Sequence, residues 1–319
     1  MIYFQLPQRI SHLPLAALLA TALYLTVAVS ACSQIEPLQN DLTSAELTNA
    51  KNIKYTIRDL NNWGNLANHL SAAGVSDLRL AQVFSDKRIP TFIEYEFNVP
   101  PREPQNIYQG FNRPNRIKAA RQFIKLHQAE FYRTQQELGI EPEIITAIFS
   151  VETDLGRNLG KHIIFYRLAR LANANDPRNV QKNYLRLKKI NPKITNKQVQ
   201  ARADKLQSMF MPEVLSLLQN CVGSCDVLQL RGSAAGAFGI PQFLPTSYQK
   251  HAVDFNRDGK RSLFQVSDSI ASVAAYLKHH GWHTNGSKQE KKLAIWGYNH
   301  SQPYVDTVFQ IYEELVKAK

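Results

Sequence analysis

Ile117, Ala120, Phe123, Ile124, His127 and Phe131 recur at the spacing that lines one face of a helix, and Gly139 directly after Leu138 supplies a stop. A second helix is expected to start at Pro142, whose fixed φ and missing N–H suit a first turn. It carries Ile144, Ile145, Ile148 and Val151 before ending near Gly156. Met209 to Leu218, Ile270 to His280 with Gly281 beyond, and Val305 to Val316 predict further helices. Strand signals are short and scattered, the best being Thr91 to Phe97. Segment 172–204 is rich in Asn, Lys, Arg and Gln, contains Pro177 and Pro192, and holds few large apolar residues, so it reads as an inserted surface excursion that is partly helical. The pattern as a whole is that of a mainly α protein with minor strands.

The first 31 residues stand apart. Arg9 precedes a mostly apolar run from Leu13 to Val29 that closes on Ser30 and Ala31, the layout of an export signal. Cys32 follows at once, and Val29-Ser30-Ala31-Cys32 resembles the bacterial lipobox, in which the cysteine is acylated and becomes the new N-terminus. A retained membrane span is the alternative, since the run is about as long as a bilayer requires. Ser33 rather than Asp after the cysteine points to the outer membrane, so the expected location is its periplasmic face, with the lipid on Cys32 as the membrane partner. Residues 32–52 read as a tether and 53–319 as the catalytic domain.

Export changes the reading of the other two cysteines. Cys221 and Cys225 lie close together in a Gly-Ser-containing stretch, free to pair in an oxidising compartment, and a local disulfide is preferred over a metal site because no His or Cys partners stand nearby. The formal net charge is +12 and falls only to +11 without the first 31 residues, whose one charge is Arg9. A polyanion is the expected partner of such a surface, and outside the cytoplasm nucleic acid drops out. A purely solubilising role for the charge stays open.

Glu152 falls four residues after Ile148 and one after Val151, at the edge of the apolar face of the second helix. A carboxylate there is desolvated, its charged form is disfavoured, and its pKa should rise toward the range useful for protonating a leaving group. Pairing with a basic neighbour is the plain structural alternative. Asp154 is two residues away, about 200° around a helix, and so faces elsewhere. Local spacing therefore favours one acid over a pair of carboxylates.

The residues from Ala147 to Gly160, Ala-Ile-Phe-Ser-Val-Glu-Thr-Asp-Leu-Gly-Arg-Asn-Leu-Gly, resemble the catalytic helix of the membrane-bound lytic murein transglycosylase B family. Gly236 to Tyr248, Gly-Ala-Phe-Gly-Ile-Pro-Gln-Phe-Leu-Pro-Thr-Ser-Tyr, is similar to that family's glycine-rich loop, and Tyr298-Asn299-His300-Ser301-Gln302-Pro303-Tyr304 to its Tyr-Asn-x-Ser-x-x-Tyr segment. The resemblance runs from about residue 75 to the C-terminus. It implies a lysozyme-like catalytic region with a flanking N-terminal helical region, Glu152 as the catalytic residue, and Ser233, Gln242, Phe243, Tyr298, Asn299 and Tyr304 as glycan contacts. Taken singly, each aromatic is as readily a core residue.

Asp254-Phe255-Asn256-Arg257-Asp258-Gly259-Lys260 matches the first half of an EF-hand loop, with oxygen side chains at alternate positions, a glycine at the sharp turn and the Lys260 carbonyl following. Position twelve is the neutral Gln265, and the resemblance points instead to Asp268 as the last ligand of a structural calcium. An N-cap role for Asp268, or an Asx-rich turn without metal, are the alternatives. The family also carries a pair of arginines where this chain holds Lys205 and Leu206, with Arg178 as a candidate replacement.

The implied activity is cleavage of peptidoglycan glycan strands between N-acetylmuramic acid and N-acetylglucosamine, leaving 1,6-anhydromuramyl ends, with cell-wall synthesis or division proteins left open as further partners. Two rivals remain at this stage. One is a muramidase that uses water and a second carboxylate such as Asp226 or Asp254. The other is a non-catalytic peptidoglycan-binding scaffold.

Overall fold

The computed structural model describes residues 59–101, 107–220 and 226–317. The export signal, the Cys32 anchor, the tether and the Cys221–Cys225 pairing lie outside the described residues. A left-handed turn at Leu60, Asn61 and Asn62 delivers Trp63 into the core, where its indole N–H donates to Pro90 O and its ring stacks on Phe84. Then come α1 (Gly64–Ala72) and α2 (Asp77–Phe84), the latter capped by the Ser76 hydroxyl.

The helix expected over 117–138 is two helices, α3 (Pro114–Leu126) and α4 (Gln128–Leu138). The break falls at His127, whose φ of −109° and ψ of 30° leave the helical region. Its ring packs 4.6 Å from Phe123, so the apolar stripe runs on although the backbone turns. Periodicity reports which positions are buried, and it is blind to a one-residue corner that keeps them buried.

The next helix, α5 (Pro142–Thr153), starts at the predicted proline and is buried on nearly every side. It lies between α3 and α12 (Gln302–Val316). Beyond it the chain forms β1 (His162–Ile163), α6 (Ile164–Ala172), α7 (Pro177–Ile190) and α8 (Asn196–Asn220). Segment 172–204 is largely helical. It supplies α7 and the start of α8, with Val180, Leu187, Val199 and Ala203 buried.

Thr91 to Phe97 forms no strand and pairs with none among the described residues. Asn179 Oδ1 accepts from Tyr95 N at 2.7 Å, Asn183 Oδ1 accepts from Phe97 N, and Asn183 Nδ2 donates to Tyr95 O, so two asparagines on α7 take the place of a neighbouring strand. The sheet that does form among the described residues is β1 paired antiparallel with β2 (Arg231–Gly232), in register His162 with Gly232. It fastens the segment after α5 to the start of the glycine-rich loop. The chain closes with α9 (Pro245–His251), α10 (Val266–His279), α11 (Lys288–Tyr298) and α12. No helix among the described residues is long and apolar enough to cross a membrane.

Candidate active site

Glu152 is the penultimate residue of α5, and the way this helix ends determines where it points. Asp154 and Leu155 take left-handed φ values of 52° and 61°, so the helix stops at Thr153, three residues before the expected Gly156. The Thr153 hydroxyl donates to Ile240 O at 2.9 Å and accepts from Gly156 N at 3.0 Å, pinning the helix end to the glycine-rich loop. From the other side, Arg116 Nη2 donates to Ser150 O and pairs with Asp154 at 2.9 Å. Asp154, already beyond the helix end, is held by this ion pair with Arg116.

Glycines let the loop come this close. A Cβ on Gly160 would lie 2.2 Å from Gly232 O, and one on Gly239 would lie 2.4 Å from the Leu263 side chain, each at a φ above 70°.

Burial pushes the Glu152 carboxyl up to about 7, against the opposing effect of the hydrogen bond from the Tyr304 hydroxyl to Oε1 at 2.7 Å. Tyr304 and Tyr298 rings lie stacked with centroids 6.4 Å apart, and Tyr108 meets Tyr304 edge-on at 5.8 Å. Tyr298 donates its hydroxyl to Pro241 O; burial and then the Glu152 charge hold its pKa well above the ordinary value, so it stays a proton donor. Asn299 Nδ2 reaches the Tyr108 hydroxyl at 3.5 Å.

The other expected glycan contacts gather along the loop. Ser233 Oγ accepts from Ala237 N, and Gln242, at a left-handed φ of 52°, turns its Nε2 to Gly239 O at 2.9 Å. Phe243 is 2% exposed, and its ring packs on Tyr276 and Tyr298 while its backbone bridges to Phe238, so it supports Tyr298. Tyr108, Arg116 and Thr153 were not singled out from the sequence. Thr153 stood inside the quoted motif, whereas Tyr108 carries no local signal.

The acids that a water-using mechanism would draw on are committed elsewhere. Asp226 is paired with Arg88, and Asp254 accepts from Asp258 N and Gly259 N.

In the 254–268 loop, Asn256, Asp258 and Gln265 side chains bond to one another. Asp268 does not join them. Its Oδ1 accepts from Phe255 N and Asn256 N and its Oδ2 from Ser262 N, so this fully buried carboxylate ties the loop together. Among the described residues, no group of three or more His, Cys, Asp or Glu is arranged to hold a metal. Arg178, the candidate replacement for the missing arginine pair, instead forks onto the buried Asp176 beneath it and onto Asn62 O. Leu206 is buried in the core.

A helical fold with one carboxyl of raised pKa under a tyrosine hydroxyl, against a glycine-rich loop, defines a class of glycan-processing site. The chain belongs to the family described as Transglycosylase SLT domain, which it matches over residues 59–292. It is 29% identical over 286 residues to membrane-bound lytic murein transglycosylase B of Escherichia coli, an alignment covering 82% of this chain and 72% of that one. Its fold is similar to E. coli lytic transglycosylase Slt35 in complex with bulgecin A, with a TM-score of 0.61 at 22% identity over 89% of this chain and 99% of that one. Slt35 has also been solved in complex with calcium, where the TM-score is 0.57 at 21% identity over the same shares. SltB3 of Pseudomonas aeruginosa, in complex with NAG-anhNAM-pentapeptide, gives 0.58 at 18% identity over 81% of this chain and 80% of that one.

Proposed function

We propose that this chain is a lytic transglycosylase that cuts the β-1,4 bond between N-acetylmuramic acid and N-acetylglucosamine in peptidoglycan, with Glu152 acting first as acid and then as base. The observation that carries this reading is the Glu152–Tyr304 pair: a single carboxyl held near neutrality by burial and oriented by one hydroxyl. At a pKa of about 7 the carboxyl is available in both forms near neutral pH, as a residue that must give and then take a proton requires. Protonated Glu152 donates to the bridging oxygen, which leaves on N-acetylglucosamine. The muramyl acetamido group stabilises the developing cation at C1. Glu152, now ionised, removes the proton from the O6 hydroxyl as O6 bonds to C1, closing the 1,6-anhydro ring and restoring the acid without water. Tethering of O6 to the same sugar makes this attack competitive. The names and fragments borne by the relatives support the same substrate class.

Ser233, Gln242, Phe243, Tyr298, Asn299 and Tyr304 are the proposed glycan contacts. The reading is tested by mass spectrometry of muropeptides released from purified peptidoglycan, with Glu152→Gln in parallel. Products lighter by one water than hydrolytic ones, absent with the variant, are expected; hydrated products would reveal a muramidase, and none from folded protein would reveal a scaffold.

Anchoring through acylated Cys32 on the periplasmic face of the outer membrane goes with this reading, since the E. coli relative is named membrane-bound. Cys32→Ser should release the protein from the membrane fraction. Calcium is proposed as a structural ligand of the 254–268 loop through Asp254, Asn256, Asp258, the Lys260 carbonyl and Asp268. This all-oxygen set suits a hard cation and would cross-link the loop without entering the chemistry.

A further inference from the structure

The two helices that carry Glu152 and Tyr304 are joined a second time at their other ends. Glu141, the residue just before α5, accepts at Oε1 from the Tyr312 hydroxyl of α12 at 2.9 Å. Since Glu152 at the end of α5 meets Tyr304 at the start of α12, the helices are antiparallel and a glutamate–tyrosine bond closes each end of the pair.

Glu141 is a fixed post. Its Oε2 accepts from Trp282 Nε1 at 3.0 Å and from the Thr284 hydroxyl at 2.9 Å, both from the connection between α10 and α11. The Tyr312 hydroxyl is held from its other side by Lys291 of α11, whose Nζ donates to it at 2.8 Å and stands 3.7 Å from Glu141 Oε1. Glu141, Trp282, Lys291 and Tyr312 are all buried.

Apolar side chains would serve packing here as well or better. Burying a carboxylate and an ammonium costs free energy that their attraction scarcely returns, so such a pair adds little stability, and its best use is to fix register. A helix is stiff along its axis, because its own backbone hydrogen bonds set its rise per residue. A slide of α12 on α5 at Tyr312 is therefore carried to Tyr304, whose bond to Glu152 spans 2.7 Å. A slide of about 0.5 Å would take that bond past the ~3.0 Å limit of a good O–H···O contact.

We propose that Tyr312, held between Glu141 and Lys291, is a positioning residue for the reaction: it fixes the axial register of α12 on α5 and so keeps the Tyr304 hydroxyl on Glu152. This rests on the transglycosylase reading above. Tyr312 lies at the far end of α5 from Glu152 and acts through Tyr304.

The test follows release of anhydromuramyl products across pH for wild type, Tyr312→Phe, Tyr304→Phe, the double variant and Asn183→Ala, with melting temperatures alongside. Asn183→Ala removes buried bonds to the 91–97 backbone and so reports what a loss of stability does by itself. In Tyr312→Phe, kcat should fall roughly tenfold with KM unchanged, and the descending limb of the pH–rate profile should move to higher pH, as a weakened bond to ionised Glu152 requires. Asn183→Ala should leave the limb in place. Added to Tyr304→Phe, Tyr312→Phe should change neither the limb nor kcat further, because both act through one bond. A limb unmoved in Tyr312→Phe, an equal shift in Asn183→Ala, or additive effects in the double variant would overturn the positioning role and leave the transglycosylase reading intact. Should Tyr312→Phe not fold, Lys291→Met is measured in its place, with a limb shift in the same direction expected and its absence counting against the proposal. A wild type that releases no anhydro products would overturn the transglycosylase reading and this one together.

Discussion

The Tyr304 hydroxyl donates to Glu152 Oε1 across 2.7 Å, joining residues 152 positions apart in the chain. This bond stabilises the ionised carboxyl while burial favours the protonated one, and the two effects together leave the group near neutrality. The packing of α12 against α5 is what brings the partners together.

Glu152→Gln should abolish turnover, by about a hundredfold or more for loss of the general acid. It should also change stability with a definite sign. A carboxyl raised from 4.5 to about 7 binds more protons folded than unfolded, so its contribution is intact below about 4.5 and is lost as pH rises through 7. Glutamine removes that penalty. Thermal unfolding should show the variant more stable than wild type at pH 8, by up to about 3 kcal/mol, and matched to it at pH 4.

Tyr304→Phe removes the group that favours ionised Glu152. The descending limb of the pH–rate profile should move to higher pH, with a fall in kcat. The ring's packing on Tyr108 and Tyr298 is kept, so the melting temperature should change little. A limb that moves down would contradict the assigned polarity of this hydrogen bond.

Asp268→Asn should destabilise the protein even in chelator, because a neutral amide offers one acceptor oxygen where the loop amides of Phe255, Asn256 and Ser262 use two. A loss of about 1–3 kcal/mol is expected in denaturant unfolding. Asp258→Asn should instead leave calcium-free stability almost unaltered and remove the rise in melting temperature on adding calcium. If both variants behaved alike in chelator, the role of Asp268 in holding the loop amides would be wrong.

His251 packs 5.0 Å from His279 and 5.9 Å from His280. Burial first, and then those two rings, bring its pKa down to about 4 from 6.5. The unfolded chain therefore binds the proton more readily, and stability held above about 6.5 is lost as pH falls toward 4. His251→Gln should flatten the drop in melting temperature between pH 6.5 and 4.5, and an unaltered slope would remove this histidine from the acid response.

Much of this was legible in the chain. The apolar period placed α5 and began it at Pro142, and the position of Glu152 at the edge of that face was enough to expect a raised pKa, because burial follows helix geometry over a few residues. Helical rotation does not decide where Asp154 faces, because the helix ends at Thr153 and Asp154, at a left-handed φ, is held by Arg116. Other features depend on pairings made at a distance. The corner at His127, the asparagines that complete the 91–97 backbone, the packing of Phe243 on Tyr298 and the use of Asp268 as a staple each follow from a neighbour that sequence distance does not reveal.

The sequence by itself determined a mainly helical chain of the transglycosylase family and pointed to Glu152, since period and motif are local properties of neighbouring residues. Only the tertiary structure decided which hydroxyl orients Glu152 and that Arg116 holds Asp154. Those outcomes are set by the packing of α3, α5 and α12, because electrostatics and hydrogen bonding act over a few ångströms of space, however far apart the partners lie along the chain.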